Sequence, residues 1–473
     1  MDEEDDPVLL VQSLLGNSAY KNASEFRLLY VFSMFLSTRL HFPTIFITIY
    51  AEALLMKILY FELDGYKNIE NAHIDLSDIT TLMALNAKGK SNLLRGILFG
   101  LSLLSANNVD LRNVIYQSES SLSKPLVHSS INKPFRFGIQ AQTQFEGNDV
   151  KLTYSFCMKW GEKIATFLSE DFKIQEFSSQ RPTTYYSREG IIAKYKGTKT
   201  RGVENETHLP NPAHMINNLL LGKNLYYEPL IQELSSIRYV IDRHFDNSRS
   251  YNAVSIFTDD DFSFGGNRPE NTPQNMYLLK TGFPRHFRRI ISAMQTLFPD
   301  VTEIDVKKIN EGAEVVGVQN YYLLYAKQKN MDSYINCGEM SDGFKRILNS
   351  LIVLTISEIK GFHVVALEEP ENSINPTVLG KYIQIIAEFT DAFNIILTSH
   401  SPFLLQYIPL RKIYIGIENQ GGNISFKKIR STYIKRVTEQ SEKLDVTTGT
   451  YIFDTLSNEE RFDRAVLKEA LED

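Results

Sequence analysis

From residue 56 onward the spacing of apolar positions changes several times, and each change predicts an element. Residues 57–78, KILYFELDGYKNIENAHIDLSD, alternate with period two around a Gly-Tyr-Lys-Asn turn region and read as a hairpin. Residues 79–85, ITTLMAL, are a short apolar strand. Residues 90–104, KSNLLRGILFGLSLL, switch to three- and four-residue spacing, a helix. Residues 133–160 alternate again, like paired strands. Residues 178–211 are polar without clear period and read as an irregular insertion. Residues 230–245, LIQELSSIRYVIDRHF, and 286–298, HFRRIISAMQTLF, read as helices. Ser341-Asp342-Gly343 opens a long amphipathic helix that Ser341 or Asp342 is suited to cap. Residues 362–370, FHVVALEEP, are a buried strand, residues 377–390 a helix, and residues 393–402 a second apolar strand ending in Thr398-Ser399-His400-Ser401-Pro402. No long heptad run occurs, which argues against an extended coiled coil. The pattern is that of an α/β fold.

Composition narrows this modestly. A chain of 473 residues, 43% hydrophobic, can bury a large core, as two domains or as one with a sizeable insertion. The motifs divide it into an extension (1–55), two halves of a core (56–175 and 331–420), an inserted region (176–330) and a tail (421–473). A net charge of -6 neither excludes nucleic acid nor supports an obligate basic binder. Two local clusters, Lys280, Arg285, His286, Arg288, Arg289 and Lys427, Lys428, Arg430, Lys435, Arg436, read either as solvated surface or as contacts for DNA or an acidic partner. Cys157 and Cys337 supply neither a disulfide framework nor a metal-ligand pair, so a reducing, cytoplasmic setting is expected. The acidic start MDEEDD is not the basic start of a secretion signal. Two apolar stretches follow, 26–36 and 42–61, but the second contains Glu52 and Lys57, and no stable membrane insertion is expected. Residues 1–55 read either as a buried or partner-facing helical extension or as an addition upstream of the first strand.

The candidate chemistry lies in four places. The run Ala84-Leu85-Asn86-Ala87-Lys88-Gly89-Lys90-Ser91-Asn92 sits between a strand and a helix, the setting a phosphate loop requires. Backbone N–H groups and a helix N-terminus would receive the phosphates of ATP, Lys90 would reach the β- and γ-phosphates, Ser91 would hold Mg2+, and Gly89 would leave room for the approach. Asn86, Lys88 and Asn92 complete the candidate binding set. Alanines 84 and 87 stand where glycine is expected; a positive φ at either would cost about 1–2 kcal/mol. A weakened nucleotide-binding scaffold is therefore one alternative, and a helix start without function is the plainest. Glu368 and Glu369 end an apolar strand, where the first would coordinate Mg2+ and the second would polarise the attacking water; the plainer alternative is an acidic turn. His400 ends the other strand and would sense a γ-phosphate or orient water, or else is structural. Ser341 and Gly343, at a helix N-terminus, can hold an anion or merely cap.

In this order the motifs resemble the ATP-binding-cassette-like ATPases of the SMC/RecF group, and more closely the OLD-type (overcoming lysogenization defect) AAA ATPases. Ala84–Asn92 is similar to that group's Gly-x-Asn-x-x-Gly-Lys-Ser-Asn loop, departing at both alanines. Met340-Ser341-Asp342-Gly343 resembles its Leu-Ser-Asp-Gly signature, Glu368-Glu369-Pro370-Glu371-Asn372 with Pro376 its acidic segment, and Ser399-His400-Ser401-Pro402 its switch-histidine segment. The resemblance covers residues 56–420. It implies an ABC/SMC-like P-loop NTPase fold with a mixed sheet, an N-terminal antiparallel portion and a largely helical insertion forming a lid or arm. It also implies ATP and Mg2+ as cofactors, hydrolysis with Glu369 and His400 as catalytic residues, and a Q-loop glutamine for which Gln140, Gln142 and Gln144 are candidates. A homodimer or higher homo-oligomer would bring Ser341 and Gly343 of one copy to the nucleotide of another. Related OLD nucleases carry a Toprim domain after the ATPase; the residues after Pro402 show no strand-helix array with clustered acids, so the expected partner is a separate nuclease or toxin effector, commonly in bacterial anti-phage defence. The alternative is a RecF-like DNA-repair or DNA-binding ATPase, resting on the basic clusters.

Overall fold

The computed structural model describes residues 56–106, 133–159, 166–197, 204–209, 227–242, 254–255, 271–309, 320–458 and 465–471, with the single residues 114, 216, 225, 262, 460 and 462. The N-terminal extension, 1–55, lies outside the described residues. In chain order the first elements are strands β1 (Lys57–Asp64), β2 (Ala72–Asp75) and β3 (Ile79–Met83), then helix α1 (Lys90–Ser105). Strands β4 (Phe135–Phe145), β5 (Asn148–Lys159), β6 (Thr166–Glu176), β7 (Thr183–Glu189), β8 (Ile192–Lys196) and β9 (Glu204–His208) follow. Next come α2 (Glu228–Ser235), β10 (Tyr239–Asp242), β11 (Val254–Ser255), α3 (Thr272–Gly282), α4 (Pro284–Leu297), β12 (Val301–Ile309), β13 (Asn320–Gln328) and β14 (Ile335–Asn336). The remainder is α5 (Asp342–Lys360), β15 (Val364–Glu368), α6 (Pro376–Ala387), β16 (Asn394–Ser399), β17 (Ile413–Glu418), β18 (Ile424–Lys428), α7 (Ser431–Lys443), α8 (Thr448–Leu456) and α9 (Val466–Leu471).

Three sheets result. An eight-stranded antiparallel sheet runs β2-β1-β4-β5-β6-β7-β8-β9. The expected first hairpin is its beginning, with Phe61 opposite Ile74, and the β4–β5 turn at Glu146 and Gly147 has positive φ at both residues, as tight hairpins require. A six-stranded sheet runs β10-β15-β16-β3-β17-β18, parallel except for β18. A small antiparallel sheet joins β11, β13, β12 and β14. The six-stranded sheet is covered on both faces, so its strands are continuous apolar runs: Val364 and Ala366 enter one core, Val365 and Leu367 the other. The first core holds α1 and the long antiparallel sheet; the second holds α5 and α6. The backbone of α1 lies close to its neighbours because Gly96 and Gly100 share a face: a Cβ at Gly96 would stand 2.4 Å from Leu63, and one at Gly100 2.2 Å from Phe137. This is the mixed α/β topology of ABC/SMC-like P-loop NTPases, with its N-terminal antiparallel sheet.

Two local expectations are corrected. Within residues 178–211, read as irregular, β7 to β9 extend the long sheet. Their polar residues lie at the thinly covered end of that sheet, where few positions are buried and period two does not show as hydrophobicity. Residues 230–245, read as one helix, stop being helical at Ser235; Tyr239–Asp242 turn into β10 and pair in parallel with β15. Four residues are too few to carry a strand period.

Candidate functional site

The loop between β3 and α1 sits at the carboxyl ends of β3, β15 and β16, which lie side by side in the central sheet. Such a position collects ligands in open α/β sheets. Gly89 caps α1 with φ 75, a left-handed conformation natural to glycine, and a Cβ there would stand 3.0 Å from Ile69 and 3.3 Å from Ile424. Lys90, 6% exposed, donates from Nζ to the carbonyls of Ala84 (2.7 Å) and Leu85 (3.2 Å). Burial lowers its pKa, against the pull of Glu369, Glu371 and Glu368 in that order. These three carboxylates are thus electrostatic neighbours of the loop lysine.

Glu369 follows β15 at φ 49. Its Oε2 accepts from the Asn372 amide at 2.8 Å, and its Oε1 lies 2.9 Å from His400 Nδ1. Burial opposes ionisation of Glu369, but Asn372, His400 and Lys90 outweigh it and hold the carboxyl below the usual range. Ionised, Glu369 can accept a hydrogen bond from water. Glu371 is 7% exposed and accepts from Ser399 Oγ at 2.5 Å; burial holds it above the usual carboxylate range despite that bond.

Glu368 Oε1 is buried without a hydrogen-bond partner. An orphaned carboxylate oxygen is costly, and a hard cation is what it suits. Among the described residues no three Asp, Glu, His or Cys side chains gather into a metal site of their own. Glu368 thus offers one oxygen of the kind a hard cation such as Mg2+ takes, and Ser91 stands in the first turn of α1.

The remaining candidates are placed as follows. Asn86 is exposed in the loop. Lys88 is turned onto Glu418 at the end of β17. Asn92 donates to Asn68 Oδ1 at 2.7 Å, bracing α1 against the β1–β2 connection. Ser341 caps α5, accepting from the Phe344 N–H at 3.3 Å, and is exposed. A Cβ on Gly343 would stand 2.5 Å from the Ser373 carbonyl, so this glycine brings α5 close to the loop after Glu369 within its own chain. Gln140 and Gln144 bond across β4–β5 to Thr153 and Asp149. In the basic clusters Lys280 meets Asp305 (2.6 Å), Arg289 meets Glu358 (2.9 Å), Lys428 meets Asp75 (2.9 Å) and Arg436 meets Glu469 (3.4 Å).

Several participants went unassigned in sequence. Glu371 was visible in Glu-Glu-Pro-Glu but carried no role there. Ser399 was only a flank of His400. Arg346, 2% exposed on α5, donates to the backbone carbonyl of Glu368 and so links the signature helix to the acidic strand. Among the described residues no helix is long and apolar enough to cross a membrane.

A family model described as "AAA domain, putative AbiEii toxin, Type IV TA system" matches residues 227–406, a span that includes Ser341, Glu368, Glu369 and His400 but not the phosphate loop. No curated protein matches the chain. Among solved structures, the chain is similar to an Smc head bound to the C-terminal winged-helix domain of ScpA (15% identity, TM-score 0.45, covering 80% of this chain and 99% of that one). It is also similar to the SMC head domain from Thermotoga maritima (10%, 0.37, 79% and 99%). A third is the Smc head domain with an extended coiled coil, bound to the C-terminal domain of ScpA, from Pyrococcus furiosus (12%, 0.44, 82% and 100%). The described residues have the mixed α/β fold, with an N-terminal antiparallel sheet, that matches ABC/SMC-like P-loop NTPase topology.

Proposed function

We propose that this chain binds ATP with Mg2+ at the loop of Lys90 and hydrolyses it, and that the cycle opens and closes a homodimer or higher homo-oligomer that controls a separate effector. The observation that carries the reading is a single cluster: buried Lys90 with Glu369, Glu371 and Glu368 as its electrostatic neighbours, and His400 2.9 Å from Glu369.

The residues divide the work by chemistry. Lys90 would meet the β- and γ-phosphates, while the N-terminus of α1 offers N–H groups to them. Ser91 and Glu368 would hold Mg2+, which when bound neutralises phosphate charge. Glu369, kept ionised and aimed by Asn372 and His400, would accept a proton from the attacking water. In a pair of copies, Ser341 and Gly343 of one would bring a second helix end to the other's γ-phosphate, so that ATP favours the closed pair and hydrolysis releases it. An effector of nuclease or toxin type, in anti-phage defence, is supported by the motif resemblance and by the toxin–antitoxin wording of the family model over 227–406. A catalytically idle scaffold is the second reading, favoured by Ala87 at φ 59, where glycine would sit without strain.

The test is ATP turnover by the purified chain, with and without DNA. Glu369→Gln should lower kcat by about 100-fold or more while retaining ATP, and Lys90→Ala should abolish tight binding or turnover. Turnover indifferent to Glu369→Gln would refute the mechanism; ATP binding with no turnover in the wild type would select the scaffold. Mixing Ser341→Arg with Lys90→Ala protein should restore part of the activity if sites are shared and fire independently. Full turnover by an enforced monomer would exclude sharing.

A further inference from the structure

The segment carrying Glu369 and the strand end carrying His400 meet along a seam. The Glu369 N–H donates to the Thr398 carbonyl at 3.0 Å. Glu369 Oε1 faces His400 Nδ1 at 2.9 Å. Beneath these, Ser399 Oγ donates to Glu371 Oε1 at 2.5 Å, and the same oxygen accepts from the Ser401 N–H at 3.0 Å. One hydroxyl therefore holds the backbone on both sides of His400, and Glu371 holds the hydroxyl.

The layers differ in their exposure to water. The side chains of His400 and Glu369 are 34% and 27% exposed, and although His400 Nδ1 is buried 2.9 Å from Glu369 Oε1, the two make no well-aligned hydrogen bond, so this contact directs the ring only loosely. Ser399 is fully buried and Glu371 nearly so. A hydrogen bond shielded from water is stiffer, and breaking it leaves a stranded polar group. Rigidity along this seam must come from the lower layer.

We propose that Glu371 and Ser399 form a positioning pair that fixes the His400 turn against Glu369 in the nucleotide-free protein. Its kinetic consequence rests on the ATPase reading above; its geometry does not. The pair needs an acceptor at residue 371 rather than a charge. A glutamine carbonyl can still take the serine hydroxyl, whereas alanine at either position cannot complete the bond.

The experiment uses the full chain and two readouts. In nucleotide-free protein, the ring signal of His400 is followed by NMR and identified by its loss in His400→Gln. It should shift or broaden in Ser399→Ala and Glu371→Ala and stay in place in Glu371→Gln. In steady-state turnover, both alanine variants should lose about ten- to 100-fold in kcat, with KM for ATP changed by less than about twofold. Glu371→Gln should restore most of the rate, and the double alanine variant should be no slower than the slower single one, as for residues acting as one unit. Ser399→Ala removes only a hydroxyl, so it decides the matter if Glu371→Ala fails to fold. An unmoved His400 signal in Ser399→Ala, multiplicative losses, or a loss confined to KM would overturn the proposal. A wild type without Glu369-dependent turnover would instead defeat the ATPase reading, and the His400 signal would still decide the positioning pair.

Discussion

At the scale of single residues, the two alanines of the phosphate loop turn out to be different cases. Ala87 has φ 59, whereas Ala84 is not among the residues with positive φ. Left-handed geometry costs alanine about 1–2 kcal/mol, and the greater chain entropy of glycine returns about half of that. Because the loop already holds this angle in the structure described, Ala87→Gly should raise the stability of the fold by about 0.5–1 kcal/mol and leave ATP affinity within about twofold. Ala84 is fully buried, and a Cβ on Gly416 would stand 2.9 Å from its methyl group. The methyl fills space that a glycine at 416 leaves open. Ala84→Gly should lower stability by about 1 kcal/mol and leave affinity unimproved. Titration calorimetry and thermal melting of the two single variants check both. Tighter binding by Ala84→Gly with no loss of stability would show that the division is wrong. The sequence suggested strain at either alanine; only the backbone angles assign it to one.

At the scale of elements, the long antiparallel sheet is pinned by a polar core that hydrophobic patterning does not foretell. Glu170 on β6 is fully buried; Tyr154 and Tyr186 donate to it at 2.7 and 3.1 Å, the Ile216 N–H donates at 2.7 Å, and Arg188 lies 3.7 Å away. Burial raises its pKa against those bonds. Glu170→Ala should destabilise by about 3–5 kcal/mol, because it removes the carboxylate facing the buried Arg188 charge and leaves the Tyr154 and Tyr186 hydroxyls and the Ile216 N–H without this acceptor. Glu170→Gln keeps an acceptor and should cost clearly less. Urea unfolding measures both, and equal losses would mean that lost packing, not lost bonding, dominates. What the sequence revealed follows the same physics. Runs such as VVALE and IILTS, and the Ser341 cap, are local signals, so β15, β16 and α5 were legible. Strands β7 to β9 were not, because their inward positions are few. Nor was the bond between Glu371 and Ser399, since it joins segments that only folding brings together.

At the scale of the whole molecule, the junction of the central strands carries a proton sensitivity. His363, at the entrance to β15, is buried; its Nδ1 accepts from the Arg238 N–H at 3.1 Å, and its carbonyl accepts from the Asn394 N–H at 3.0 Å. It therefore ties β10, β15 and β16 in register. Burial, with Arg238 nearby, pushes its pKa down from 6.5 to about 4. The unfolded chain then binds the proton more readily than the folded one. Stability from this group is complete above pH 6.5, declines between 6.5 and 4, and is fully lost below, a total of about 3 kcal/mol. His363→Gln should flatten the pH dependence of unfolding in that window; an unchanged slope would place the titration elsewhere. The central sheet has another consequence, one of timing. Ile424 of β18 and Ile69 close the space beneath Gly89, while β17 flanks β3 on its open side. The loop leaves the ribosome early, yet its floor is translated hundreds of residues later. A nascent chain thus carries the residues of this loop before the strands that floor and flank it exist, and the seat beneath Gly89 is completed only once β17 and β18 have emerged.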